Sequence, residues 1–185
     1  TPHEIAALAY ELETKELGIE SGVQDQVAAA TGGIYFHVID PYPRVSSSPI
    51  RLRDEVCWEL ESRLLLAHSG ERHLSSDVHR KVIGDYQAGR GETVEAMQAL
   101  RETPARAAAA LLQGDFGAFA DAMNENDAAQ CRLHPEITTP AIADIERVAR
   151  CAGAEAVKIN GAGGGGSVTI FCATARRRAV EEAVR

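Results

Sequence analysis

The segment NGAGGGG, residues 160–166, contains a glycine pattern that could bind phosphate. Gly161, Gly163 and Gly166 fit the G-x-G-x-x-G spacing of dinucleotide-binding turns. Such a turn must open a helix, whereas the following residues, SVTIFC, are β-branched and aromatic and predict a strand. Four consecutive glycines between strands would instead let backbone N–H groups point into a concavity suited to phosphate oxygens. The alternative is a flexible hairpin, because glycine is common in turns.

The segment GVQDQ, residues 22–26, could supply a catalytic carboxylate. Asp25 lies in the first turn of a predicted short helix, directly after the small residues Ser21 and Gly22. A carboxylate in that position can accept the proton of a hydroxyl group. It can equally do no more than complement the helix dipole, an effect of about 0.3–1 kcal/mol. Both interpretations of Asp25 follow from the local sequence.

Hydrophobic periodicity predicts the elements that position these two segments. Thr1, Pro2 and Glu4 predict a capped helix start, and Gly18 predicts the end of that helix. Its predicted apolar face consists of Ile5, Leu8, Ala9 and Leu12. The later predicted elements are a short helix from Ser21 or Gly22 to Gly32-Gly33, a strand at 33–40, helical turns at 54–61, a strand at 63–69, a helix capped by Ser75-Ser76-Asp77, helical segments at 92–134 (with a kink at Pro104 and a break at Gly114) and 139–152, strands AEAVKI and SVTIFCA, and a last helix.

Composition limits the classes of protein to which the chain can belong. Its 185 residues are 45% hydrophobic and carry a net charge of −8, so the chain can bury a core but has no overall positive field for nucleic acid or an anionic membrane. No apolar run approaches the length of a membrane span. The four cysteines and six histidines show no zinc-site spacing, and lone thiols predict a reducing, cytoplasmic location. Nothing in the sequence indicates an oligomeric state.

Four blocks of the chain, in order, resemble a known family. They are LAYELETKELGIESGVQDQVAAATGG, LLLAHSGERHLSSDVH, the helical region 92–152 and KINGAGGGGSVTIFC. Their order and spacing resemble the GHMP kinases, which include galactokinase, homoserine kinase, mevalonate kinase and phosphomevalonate kinase, over almost the whole chain. The run Q-D-Q-x-A-A-A-x-G-G is most similar to the D-glycero-D-manno-heptose 7-phosphate kinase branch.

The resemblance implies an α+β fold, with helices covering an antiparallel sheet and a ferredoxin-like C-terminal part. Residues 1–61 would complete the N-terminal kinase domain, and residues 62–185 would form the C-terminal one. The implied reaction is ATP-dependent phosphorylation of a hydroxyl of a sugar or sugar phosphate, with a heptose 7-phosphate as the preferred acceptor. Phosphoryl transfer needs mainly positioning and charge neutralisation.

The resemblance also implies roles for individual residues. Asp25 would be the base or the electrostatic partner of the attacking oxygen, and Glu13 would bind Mg²⁺; alternatively, Glu13 belongs to a solvated acidic helix face. The residues implied in binding substrate are Ser21, Gly22, Gln24, Gly163 and Gly164. The residues implied in binding ATP are Gly164, Gly165 and Gly166.

The sequence departs from the family at two motifs. The family's ATP-binding G-L-G-S-S loop, with its magnesium-binding serine, and its earlier N-terminal signature are both absent from these residues. The chain is therefore expected to be the C-terminal part of a kinase and to bind ATP weakly by itself. Two alternatives remain: a related kinase acting on another sugar or a mevalonate-like alcohol, and a non-catalytic remnant or binding module of the same fold. Lys158, just before the glycine loop, is expected to face either a phosphate or solvent.

Overall fold

A computed structural model of the chain describes residues 1–19, 21–71 and 75–185. The side chains of Ser75, Ser76 and Asp77, which are predicted to cap a helix, lie outside what it describes. The chain forms two compact units, Thr1–Arg51 and Leu52–Arg185. The assignment of residues 1–61 and 62–185 to two kinase domains stays a prediction.

The first unit combines two helices with a β-hairpin. Its elements are helix α1 (Pro2–Glu11), a π-helical turn (Leu12–Glu16), helix α2 (Gln24–Thr31) and the antiparallel strands β1 (Tyr35–Ile39) and β2 (Val45–Pro49). The predicted capping box forms, because the Thr1 side chain accepts a hydrogen bond from the Glu4 amide while the Glu4 carboxylate accepts one from the backbone nitrogen of Thr1. The start of α1 is thus fixed by its own first residues.

Helix α1 buries a different face from the predicted one. Ile5 and Leu8 are 63% and 59% exposed, whereas Ala6 is only 2% exposed and packs with Val23 and Val27. The prediction was wrong because periodicity detects an apolar stripe but not the side on which a neighbour packs. The small side chain at position 6 allows α2 to approach α1 closely on that side.

The second unit is a helical domain built on a three-stranded sheet. Its elements are α3 (Asp54–Arg63), β3 (Leu64–His68), α4 (Ser75–Gln87), α5 (Gly91–Gln113), α6 (Phe116–Cys131), a 3₁₀ turn (Pro135–Ile137), α7 (Pro140–Ala152), β4 (Ala154–Ile159), β5 (Ser167–Cys172), a second 3₁₀ turn (Thr174–Arg176) and α8 (Arg177–Ala183). The strands are antiparallel in the order β3-β5-β4. This arrangement confirms the predicted α+β class with helices on an antiparallel sheet.

The two faces of this sheet have different environments. On one face, Val157, Val168 and Ile170 are fully buried in the main core, to which α4, α7 and α8 also contribute. The opposite face is less completely covered, because Leu66 is 72% exposed while Phe171 is buried against Phe119 of α6. Side chains alternate between the faces along each strand, so Lys158 and Thr169, which pair across β4 and β5, share this second face.

Candidate active site

Glu13 lies in the π-helical turn that follows α1. The Leu17 amide donates to the Leu12 carbonyl at 3.0 Å, and the Ile19 amide donates to the Glu13 carbonyl at 2.9 Å. Such turns hold one residue more than an α-helical turn and occur often at functional sites. The extra residue rotates the side chains that follow α1 relative to α-helical positions. Glu13 is half-buried while Glu11 and Glu16 are exposed, and the role of Glu13 in binding Mg²⁺ stays a prediction.

Gln26 holds the Glu13 carboxylate. Its Nε2 donates to Glu13 Oε2 at 2.6 Å and to Ser21 Oγ at 3.1 Å. Gln26 is 8% exposed, and its Oε1 is buried without a hydrogen-bond partner among the described residues. Exchanging the amide nitrogen and oxygen would turn an acceptor toward the carboxylate, so the contact with Glu13 fixes the orientation of the amide.

Glu13 and Asp25 line one cavity of about 370 Å³ in the first unit, together with Gln26 and apolar side chains of α1 and α2. Asp25 is exposed, and its side chain makes no hydrogen bond or ion pair within residues 1–19, 21–71 and 75–185. Its carboxylate is therefore available to a ligand and does not close a local cap. Two carboxylates at one cavity suit Mg²⁺, which takes one or two protein carboxylates together with substrate phosphates.

The loop before Asp25 is tied to the hairpin by two tyrosines. The Tyr42 hydroxyl donates to the Ser21 carbonyl at 2.9 Å, and the hydroxyls of Tyr10 and Tyr42 lie 2.7 Å apart. Burial, assisted by the hydrogen bond to Tyr10, raises the pKa of Tyr42 to about 12, so its hydroxyl keeps its proton near neutral pH. The predicted substrate residues Ser21 and Gly22 thus lie on a held loop, and Gln24 is exposed at the start of α2.

The glycine loop connects β4 to β5 in the second unit. Gly163, Gly164 and Gly165 are buried, so the loop is not an exposed hairpin tip. Gly163 has φ +80°, and a Cβ built there would lie 2.7 Å from the Ile137 side chain and 2.8 Å from its carbonyl oxygen. Only glycine fits this backbone conformation and this close approach.

Two loop amides are already hydrogen-bonded. The Gly164 amide donates to the Ile137 carbonyl at 2.8 Å, and the Gly166 amide donates to the Glu71 carbonyl at 3.3 Å. The expectation that the loop amides point together into a concavity is therefore wrong for Gly164, because the turn around Ile137 already supplies its acceptor. That Gly163 to Gly166 bind substrate or nucleotide, and share a site with Asp25, stays a prediction.

Sequence reasoning missed two glutamines, each of which makes a hydrogen bond to a candidate site segment within its own unit. Gln26 bonds Glu13, and in the second unit Gln130 donates to the Gly161 carbonyl at 2.7 Å. The Q-D-Q run contained Gln26, but a glutamine beside an acid carries no spacing signal.

Among the described residues no three His, Cys, Asp or Glu side chains form a metal-binding cluster. None of the described helices is long and apolar enough to cross a membrane.

Comparison with known proteins places these features in a family. Residues 107–185 match the family described as GHMP kinases C terminal. Over 183 residues, 99% of this chain, the sequence is 30% identical to D-glycero-alpha-D-manno-heptose 7-phosphate kinase of Campylobacter jejuni. Residues 107–185 are thus similar to the C-terminal domain of the GHMP kinases, and the whole chain is similar to a sugar kinase. It spans 53%, about half, of the length of that curated relative.

Solved structures agree with this family. The chain is 27% identical to a D-glycero-D-manno-heptose 1-phosphate kinase from Bacteroides thetaiotaomicron, with a TM-score of 0.71 over 99% of this chain and 48% of that one. It also matches the fold of L. major mevalonate kinase in complex with R-mevalonate, at 19% identity and a TM-score of 0.78 over 99% of this chain and 53% of that one. The second similarity supports the fold alone.

A substitution at Gln26 separates its role in folding from its role in holding Glu13. We expect Gln26→Leu to change the free energy of unfolding by less than about 1 kcal/mol, because losing a charge-assisted hydrogen bond (about 1.5–3 kcal/mol) is offset by removing the unpaired Oε1 (about 1–3 kcal/mol). Gln26→Glu places a second carboxylate beside Glu13 and should destabilise the protein at pH 7 but much less at pH 4. Urea denaturation at both pH values measures this. Equal losses for both variants at pH 7 would contradict it.

Proposed function

We propose that the protein is an ATP-dependent sugar kinase whose preferred acceptor is a heptose 7-phosphate. The observation that carries the proposal is the single cavity of the first unit that Glu13 and the unpaired Asp25 carboxylate both line. An unpaired acid and a held acid at one cavity suit transfer to a hydroxyl, because one can receive the hydroxyl proton while the other binds a cation. The similarity to the C. jejuni heptose 7-phosphate kinase supports the acceptor class.

In this proposal each residue has a distinct task. The Asp25 carboxylate accepts the proton of the acceptor hydroxyl or stabilises the charge on its oxygen. Glu13, held by Gln26, binds Mg²⁺; when bound, the ion neutralises phosphate charge. Gln26 Oε1 is buried without a hydrogen-bond partner next to Glu13. A hydrated cation held by Glu13 would provide a donor for this oxygen. The loop of Ser21 and Gly22 orients the acceptor, and the glycine loop of the second unit contributes backbone amides to a phosphate.

The nature of the acceptor is tested by direct assay. The protein, expressed from its complete coding sequence, is incubated with ATP, Mg²⁺ and either D-glycero-D-manno-heptose 7-phosphate, galactose or mevalonate, and products are followed by ³¹P NMR and ADP release. We expect the heptose phosphate to have the highest kcat/KM. A higher kcat/KM for galactose or mevalonate would reject the acceptor and keep the kinase. Absence of transfer to all three, together with unchanged ATP, would favour a non-catalytic member of the fold.

A further inference from the structure

A second cavity lies on the less covered face of the sheet in the second unit. Its volume is about 380 Å³, within the range of small-molecule sites. Apolar side chains from α5, α6 and β3 form most of its wall: Leu64, Pro104, Ala107, Phe119, Ala122 and Met123. Its polar groups come mainly from the strands and α6. All residues that line it belong to the second unit, whereas Asp25 and Glu13 belong to the first.

Lys158 supplies the charge of this cavity. Its Nζ donates to Gln130 Oε1 and to the Ile159 carbonyl at 3.2 Å. An ammonium group has three N–H donors, and the described residues offer no acceptor for the third. Burial lowers the pKa of Lys158, partly opposed by the charge of Asp127. Lys158 is therefore part-buried at the cavity and does not extend freely into solvent, and that it faces a phosphate stays a prediction.

The nearest acid does not neutralise this lysine by direct contact. Asp127 Oδ1 accepts a hydrogen bond from the Ile159 amide at 2.7 Å, and no ion pair joins it to Lys158. Asp127 is 7% exposed, and this burial raises the pKa of its carboxyl group. One N–H of this charged donor thus has no acceptor among the described protein groups, in a cavity with largely apolar walls. Such a group gains most from an anionic acceptor that brings its own apolar surface.

We propose that this cavity binds a small monocarboxylic acid with an apolar body, its carboxylate accepting a hydrogen bond from Lys158 Nζ. One positive charge matches one negative charge, whereas the lining contains no second cation for a phosphate dianion. The Asn126 amide, which donates one of its two N–H groups to Thr103 Oγ1 at 2.6 Å, has a second donor for the other carboxylate oxygen. The apolar body packs on Phe119 and Met123.

Binding at this cavity would be transmitted to the glycine loop through hydrogen bonds. Gln130 accepts from Lys158 with Oε1 and donates to the Gly161 carbonyl with Nε2, so one side chain connects the lysine to the loop. Asn160 also lines the cavity. Its Oδ1 accepts a hydrogen bond from the Thr169 hydroxyl at 2.9 Å, and its Nδ2 donates one to Ser167 Oγ at 3.1 Å. A carboxylate that accepts the third N–H of Lys158 places a negative charge beside Gln130 and Asn160. The amides of Asn160 and Gly161 therefore report occupancy.

Titration with a simple probe tests the site, and the outcome does not depend on kinase activity. ¹⁵N-labelled protein is titrated with 3-phenylpropanoate and, as a neutral control, with 3-phenylpropanamide, while amide chemical shifts are recorded. We expect the acid to bind with a Kd of about 1 mM or tighter. The acid should bind at least about tenfold more tightly than the amide, because a charge-assisted hydrogen bond is lost in the amide. The shifted signals should include Asn160 and Gly161.

Three variants make the test specific. Lys158→Met should raise the Kd for 3-phenylpropanoate at least about tenfold. Lys15→Met, at an exposed lysine of the first unit, should leave this Kd unchanged. Ala107→Phe fills the cavity without touching the lysine and should abolish binding, which keeps the test valid if Lys158→Met does not fold. Equal affinities for acid and amide, binding that survives Ala107→Phe, or no shifts at Asn160 and Gly161 up to about 10 mM acid would overturn the proposal.

Discussion

Asp25→Asn should lower kcat at least about a hundredfold in the protein expressed from its complete coding sequence, the lower end for a lost acid–base or electrostatic group. The substitution keeps the shape of the side chain and removes its charge and its ability to accept a proton. Because the Asp25 side chain makes no hydrogen bond or ion pair within the described residues, little structural stability depends on it. KM for the acceptor should change much less than kcat, since the interaction lost is one made in the transition state.

Asp40→Asn is the matched control for this experiment. Asp40 is another exposed acid of the same unit and directly follows β1. It does not line the cavity that contains Asp25. Steady-state kinetics and thermal melting of both variants separate a catalytic effect from a folding effect. Near-wild-type kcat in Asp25→Asn, with unchanged melting, would mean that the acid only complements the dipole of α2.

The parts of the fold that sequence predicted are those fixed by local chemistry. Thr1 and Glu4 cap α1 because the capping box involves residues three apart, and Gly114 ends α5 in the left-handed conformation that glycine favours. Helix α5 continues through Pro104, so the predicted kink there stays a prediction. The strand after the glycine loop, Ser167–Cys172, was predicted from its β-branched and aromatic residues. Strand β2, Val45–Pro49, was missed, because three of its five residues are serines and it is a strand only through pairing with β1.

The parts of the site that sequence missed depend on tertiary contacts. Asp25 was found because it stands at a helix start, but the position of Glu13 depends on a π-helical turn that only the hydrogen bonds of Leu17 and Ile19 reveal. The hydrogen bond between Gln26 and Glu13 and the one between Lys158 and Gln130 each join residues of different elements. No pattern of residue types within one segment encodes such pairs, so they emerge only when the elements pack.

The glycine loop gives the largest expected effect on stability. Gly163→Ala should lower the free energy of unfolding by about 2–5 kcal/mol, from about 1–2 kcal/mol for a side chain at positive φ and about 1–3 kcal/mol for overlap. The overlap is with backbone as well as side chain, since the new Cβ would lie 2.8 Å from the Ile137 carbonyl oxygen. That carbonyl accepts the Gly164 amide, so the turn cannot yield without losing this hydrogen bond.

Gly161→Ala separates the two contributions, because Gly161 also has positive φ, +65°, but has nothing within 4 Å of a built Cβ. It should lower the free energy of unfolding by only about 1–2 kcal/mol, the cost of the backbone conformation alone. Urea denaturation of both variants and wild type, with the slope compared to confirm a common transition, gives the difference directly. A difference of at least about 1 kcal/mol would show that Ile137 and the glycine loop form one packed unit. Equal losses would mean that the loop moves away from Ile137 at little cost, and that its closed shape is not rigid enough to position a phosphate.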